Sequence, residues 1–210
     1  MQEYNKIETV FERDTQGTRK LIDGKFRNPT VEFLSNNPWD FTEKIDGTNI
    51  RIHWDGHRVE FGGRTDNAQI PSHLVTYLNA TFGGNDAEEL FEQKFGESDV
   101  ILFGEGYGPK IQKVGSLYRG DTSFILFDVQ IGNVFLERES IEDIAKAFGI
   151  DVVPIIITGK ISEAVSFVKS HPMSTIGTAP MEGLVGRPHI EIKDRRGNRI
   201  IVKIKVCDFT

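Results

Sequence analysis

The sequence predicts an α+β protein, and three features predict it. Short apolar runs recur along the 210 residues, punctuated by 21 glycines, which is the rhythm of many short strands. Helical segments are fewer and do not alternate strictly with those strands. Hydrophobic residues at 38% and charged residues at 27% suit a packed globular chain rather than a disordered one.

The elements follow in order. Asn49–Trp54 is the first clear strand, and Trp54-Asp55-Gly56-His57 turns it back into Arg58–Phe61, with Asp-Gly supplying the positive φ angles of a hairpin. Pro71–Phe82 and Asp86–Phe95 read as helices. Val100–Phe103 is a short strand running into Phe103-Gly104-Glu105-Gly106-Tyr107-Gly108, which reads as a strand-end turn whose glycines let backbone approach a ligand. Phe124–Val129 and Val134–Leu136 are strands. Ser140 with Asp143 three residues on reads as a capping box opening a helix over Ile141–Phe148, closed by Gly149. Ser162–Ser170 carries apolar Ala164, Val165, Phe167 and Val168 and stops at His171-Pro172. Gly183–Gly186 is a strand, Arg195-Arg196-Gly197-Asn198 a hairpin turn, and Ile200–Val206 the last strand.

Composition excludes several classes. The single cysteine, Cys207, rules out an internal disulfide and multi-cysteine zinc or iron–sulfur sites, and the five histidines lack metal-ligand spacing. Apolar stretches such as Val152–Thr158 fall far short of the ~20 residues that cross a bilayer, and the start has no signal pattern. The expectation is a cytoplasmic protein without a membrane partner. A net charge of -6 argues against indiscriminate coating of nucleic acid. The charge is uneven, however. Arg13–Arg27 holds five basic residues against Asp14 and Asp23, and Ile190–Val206 holds six against Glu191 and Asp194. Where two such runs meet, they would form a cationic face.

Five segments carry residues suited to chemistry. In Glu43-Lys44-Ile45-Asp46-Gly47-Thr48-Asn49 a lysine sits at a tight turn; an amine attacks only when neutral, so a nucleophilic lysine needs neighbouring cations or desolvation. The run Ile200–Val206 alternates, which places Val202, Ile204 and Val206 on one face and Lys203 with Lys205 on the other. Glu105, between two glycines, suits sugar hydroxyls or a metal. Phe127 suits base stacking, and Glu182 places a carboxylate at a strand start. Each also has an ordinary structural reading when taken alone.

In order the segments read Lys44-x-Asp46-Gly47, Gly63-Arg64, Gly104-Glu105-Gly106, Phe127-Asp128, Glu182-Gly183-x-Val185 and Lys203-x-Lys205. This series resembles the covalent nucleotidyltransferase superfamily of ATP-dependent ligases and mRNA-capping enzymes, and most of all the phage-type nick-sealing RNA ligases. It covers Glu43 to Lys205. The resemblance implies an adenylation-domain fold, with antiparallel sheets flanked by helices around a nucleotide cleft. It implies that Lys44 attacks the α-phosphate of ATP, forming a lysyl–AMP. Glu43 would present its backbone to the adenine edge, Phe127 would stack on the ring, and Glu105 would hold the ribose, with Arg64 near the ribose or phosphate end. Lys203 and Lys205 would bind the α-phosphate. Glu182, with Asp46, Asn49 and Asp128 through water, would position Mg²⁺ or Mn²⁺. AMP would pass to a 5′-phosphate end and a 3′-hydroxyl would displace it, with RNA the favoured strand.

Two departures accompany the match. Asp46 stands where the family has a histidine variant, and Arg51 approximates the Lys-x-Asp-Gly-x-Arg pattern of DNA ligases at a longer spacing. Val206–Thr210 holds neither an OB-fold nor a C-terminal helical domain. The expectation is therefore one nucleotidyltransferase domain over 1–210, aided by an accessory protein or a domain in trans. The rival readings are a DNA ligase, a GTP-dependent capping enzyme, and a nucleic-acid-binding module that has lost its chemistry.

Overall fold

A computed structural model describes residues 1–210. In chain order the elements are β1 (Glu8–Thr9), β2 (Phe11–Arg13), β3 (Leu21–Phe26), α1 (Pro29–Leu34), β4 (Trp39–Lys44), β5 (Thr48–Trp54), β6 (Val59–Gly62), α2 (Ser72–Phe82), α3 (Asn85–Phe95), β7 (Val100–Tyr107), α4 (Gly115–Tyr118), β8 (Ser123–Ile131), β9 (Val134–Phe135), α5 (Arg138–Phe148), β10 (Asp151–Val152), β11 (Ile155–Gly159), α6 (Ile161–Lys169), β12 (Gly183–Pro188) and β13 (Val202–Lys205). The mixed, mainly antiparallel α+β class expected from the sequence is the class observed. No helix is long and apolar enough to cross a membrane.

The chain divides into two compact units. The first, Met1–Asn5 with Asp46–Val153, is built on a six-stranded sheet in which the order β10-β8-β7-β5-β6 is extended by β9 pairing with β8. Its core gathers Ile50, Ile52 and Trp54 from β5, Leu102 from β7 and Leu126 from β8 against α2, α3 and α5. The second, Lys6–Ile45 with Pro154–Thr210, is built on a five-stranded sheet in the order β1-β13-β12-β4-β11, beside the β2–β3 hairpin. There Trp39 and Phe41 of β4, Leu184 of β12 and Val202 and Ile204 of β13 pack with Ile161, Ala164, Val165 and Val168 of α6.

Several expectations change. The strand β4 escapes a hydrophobic pattern because its inward positions are Trp39, Phe41 and Glu43, and the third is a carboxylate. The glycine-rich segment after Phe103 is not a turn, since β7 runs on through Tyr107. Its glycines serve packing: a Cβ on Gly104 would collide with Phe124, and one on Gly106 with Leu74. The Ser140–Asp143 capping box does not form. The helix starts earlier, at Arg138, where the guanidinium bonds Glu142 at 2.5 Å and the Val153 carbonyl at 2.8 Å, so Ser140 lies inside the helix. Gly149 closes it in the left-handed conformation as expected. Helix α6 begins at Ile161, one residue before the expected start, where Glu163 accepts the Lys160 amide at 2.6 Å. The final strand shortens to Val202–Lys205 because Val206–Asp208 winds into a 3₁₀ turn.

Candidate active site

The register of three strands assembles one cluster. Gly183 of β12 lies directly opposite Lys44 of β4 on one side and Lys205 of β13 on the other. Residues in one such row share a face, and alternation adds Thr42, Val185 and Lys203 to it, all half-exposed. The opposite face is buried, with Phe41, Glu43, Leu184, Val202 and Ile204. A Cβ on Gly183 would collide with the Ile204 carbonyl, and its φ is +155°, so the strand entry following Glu182 requires glycine.

Adjacent strands lie about 4.8 Å apart, so Lys44 and Lys205 start roughly 10 Å apart at their Cα atoms. Glu182 joins them. Its Oε2 accepts from Lys44 Nζ and its Oε1 from Lys205 Nζ, each at 2.6 Å, and the two lysine side chains keep only 26% and 30% of their surface exposed. Burial works to lower the pKa of Lys205, but the hydrogen bond and charge of Glu182 outweigh it and hold that ammonium above the usual lysine range.

Glu43, next to the nucleophile candidate, points the other way and is 1% exposed. Its carboxylate accepts from Ser174 Oγ, from the Thr175 amide at 3.0 Å and from Thr175 Oγ1 at 2.6 Å. Its own backbone N–H donates to the Pro154 carbonyl at 3.0 Å. Ser174 and Thr175 thus anchor the end of β4, 131 and 132 residues away in sequence, and no local motif announces them.

The first unit carries the remaining predicted residues. Asn49 of β5 faces Glu105 of β7, and the Oδ1 of Asn49 is buried without a hydrogen-bond donor, an acceptor available to a ligand. Between β7 and β8 the register shifts: Phe103 pairs with Asp128 and Gly104 with Leu126, so Phe127 is the extra residue of a β-bulge. Bulges re-aim side chains, and Phe127 stays half-exposed between the buried Ser123–Leu126 and Asp128–Gln130. Asp128 is fully buried and accepts from the Tyr4 hydroxyl at 2.7 Å, while the Tyr4 ring stands edge-on to Phe127, with centroids 5.2 Å apart. Asp46 and Gly47 form the turn after β4. The Tyr118 hydroxyl accepts the Asp46 amide at 3.2 Å, and Gln112 Nε2 donates to the Gly47 carbonyl at 2.8 Å.

Arg64 is exposed on the loop after β6. Arg51, the arginine suggestive of a DNA-ligase pattern, is 0% exposed and serves structure. Its guanidinium donates to the carbonyls of Gly63, Met1 and Gln2 and to Asp66, which holds the loop bearing Arg64 against the N-terminal residues. Sequence reasoning thus missed Tyr4, Gln112, Tyr118, Ser174 and Thr175, all of which act through partners remote in sequence.

No group of three or more His, Cys, Asp or Glu side chains converges as a metal cage. Glu182 is the one carboxylate on this sheet face that could take a hydrated divalent ion, and both of its oxygens are held by ammonium groups.

An RNA ligase family profile matches residues 37–205. No curated protein sequence matches the chain. Among solved structures, an arginine-to-alanine variant of the Naegleria gruberi RNA ligase, solved with ATP and Mn, superposes with a TM-score of 0.68 at 17% identity, covering 98% of this chain and 56% of that one. An apo lysine-to-alanine variant of a Naegleria gruberi RNA ligase gives a TM-score of 0.65 at 18% identity over 86% and 53%. An archaeal ATP-dependent RNA ligase gives 0.65 at 16% identity over 99% and 49%. These likenesses establish a shared fold, and the chain spans about half the length of the structures it matches.

Proposed function

The chain belongs to the RNA ligase family, and from that premise we propose that it joins RNA ends at the expense of ATP through a lysyl–AMP intermediate on Lys44. The observation that carries this reading is the convergence of Lys44, Lys205 and Glu182 on one sheet face, with Lys203 beside them. In the first step Lys44 Nζ, once it has released its proton to solvent with Lys203 and Lys205 disfavouring its charged form, attacks the α-phosphate. An N–P bond forms, the bond to the β-phosphate bridging oxygen breaks, and its electron pair leaves with pyrophosphate. Lys203 and Lys205 offset the charge that builds on the phosphate. In the second step a 5′-phosphate oxygen of the RNA displaces Lys44 from the AMP. In the third, a 3′-hydroxyl attacks that 5′-phosphate, AMP leaves, and the phosphodiester is sealed.

Arg64, Glu105, Asn49 and Phe127 are assigned to the nucleoside and its phosphates. Support comes from the bulge that re-aims Phe127 and from the unpartnered acceptor on Asn49. Glu182 would hold Mg²⁺ or Mn²⁺, with Asp46 and Asp128 acting through water. When bound, the ion supplies neutralisation of the triphosphate and orients the leaving group. We assign residues 1–210 to this one nucleotidyltransferase activity.

Incubation with α-labelled ATP and Mg²⁺, followed by denaturing electrophoresis, tests the reading. Label should stay on the protein and vanish in Lys44→Ala. Label retained by Lys44→Ala defeats the mechanism, labelling by GTP alone marks a capping-type enzyme, and no labelling alongside intact RNA binding marks a module without chemistry. Nicked RNA, DNA and hybrid duplexes then rank the strands.

A further inference from the structure

We propose that the hairpin spanning residues 190–199 is a docking surface for the phosphodiester backbone of RNA, an inference that rests on the ligase reading for its choice of nucleic acid. The hairpin is small and preorganised. Lys193 and Arg199 form an antiparallel bridge, and the Asp194 amide donates to the Asn198 carbonyl at 2.8 Å. Asp194 then closes the turn from inside. Its Oδ1 accepts the amides of Arg196 and Asn198, each at 2.8 Å, its Oδ2 accepts Asn198 Nδ2 at 3.1 Å, and Gly197 takes the left-handed φ of +82°. Those bonds to Asn198, with a smaller part from Arg196, hold the Asp194 carboxyl below the usual carboxylate range.

The consequence is a segregation of charge. Glu191 bonds Arg199 at 2.6 Å and Asp194 is folded into the turn, so both acids of the hairpin are engaged. Lys193, Arg195 and Arg196 are exposed and form no ion pair within 4 Å, Arg196 feeling the Asp194 carboxylate only through a weaker charge attraction. Arg195 and Arg196 occupy the two central positions of the turn, where side chains project furthest from the strands. In the other basic run of the same unit three of the five cations are paired, Arg13 with Asp208, Lys25 with Glu12 and Arg27 with Glu8, and the exposed Arg19 and Lys20 are not on a hairpin turn with a second arginine. In a chain of net charge -6, three unpaired cations on a rigid tip form a local site for a polyanion. The rigidity lowers the ordering cost of binding, and guanidinium groups on an exposed turn meet phosphate rather than base edges. The tip sits at the far end of β12 and β13 from Gly183, at most about 30 Å from Lys205 at strand rise. It therefore acts on RNA away from the joint.

The experiment is fluorescence anisotropy of a labelled nicked RNA duplex against the full chain, titrated over a range of KCl, for wild type, Arg195→Ala/Arg196→Ala and Arg195→Lys/Arg196→Lys. Removing two phosphate contacts should flatten the slope of log K against log salt by about 1.8 and weaken binding up to roughly 60-fold at ~0.1 M salt. The lysine pair should restore most of both, and two unrelated RNA sequences should behave alike. Lys44 labelling by ATP should be unchanged in the alanine pair. Unchanged slope and affinity in the alanine pair overturn the proposal, as does failure of the lysine pair to rescue or a wild type that does not bind the duplex. If no variant, wild type included, labels with ATP while the salt slope still falls, the ligase reading fails and the RNA surface stands.

Discussion

The β12–β13 strand pair carries cations at both ends and handles them in opposite ways. At the Gly183 end, Lys44 and Lys205 share the single carboxylate of Glu182, half-buried on a sheet face. At the hairpin tip, Arg195 and Arg196 stand exposed while the nearby acids face inward or pair elsewhere. A shared carboxylate fixes where an amine lies to within a hydrogen bond, which is what a displacement reaction needs. Unpaired, solvated cations fix little but release counterions on meeting a polyanion, which is what docking needs. The difference lies in burial and pairing rather than in residue type.

The comparison breaks most visibly at Glu182. In Glu182→Ala the two ammonium groups at the sheet face lose their common partner. Loss of one member of a buried pair costs ~3–5 kcal/mol, and discounting for partial exposure leaves about a hundredfold fall in Lys44 labelling. RNA affinity in the same protein should stay within a factor of about two. Equal losses in both assays would dissolve the distinction between the ends.

Next comes Glu43, which ties the reactive end to the buried side of the sheet. Glu43→Ala strands the donors of Ser174 and Thr175 at ~1–3 kcal/mol, and thermal melting should drop by roughly 3–10 °C. Asp194→Ala is milder: the cations remain but the turn loosens, so RNA binding should weaken two- to threefold, by the order of a lost turn hydrogen bond or less, with an unchanged salt slope. Anisotropy under the same salt series checks it.

The smallest effect is on pH. Lys205 has its pKa raised in the folded chain, so the stability it contributes is complete below the unfolded lysine value of 10.5 and is lost as pH rises through the higher folded value. The melting difference between wild type and Lys205→Met should shrink only in that alkaline window. Shrinkage starting near neutrality would show that Glu182 does not hold the ammonium.

Much of this was legible in the chain itself. The Asp55-Gly56 hairpin and the alternation that sets Lys203 and Lys205 against Val202 and Ile204 are local or periodic properties, and both reappear, although Gly56 alone of the turn pair takes a positive φ. What local reasoning lost at β4 has a remote cause. The strand β4 has a buried glutamate where a hydrophobe is expected, because Ser174 and Thr175 satisfy it from more than 130 residues away.

Sequence alone determined which chemistry the chain can attempt, since residue type and order set what an amine, a carboxylate and two further cations are able to do. Tertiary structure alone decided that Glu182 faces both Lys44 and Lys205, that Arg51 is a buried clamp, and that three cations of one basic run are paired while the tip of the other is not. Strand register and ion pairing depend on which distant segments meet. Those meetings are chosen by the burial of whole faces, a property no short stretch of residues possesses.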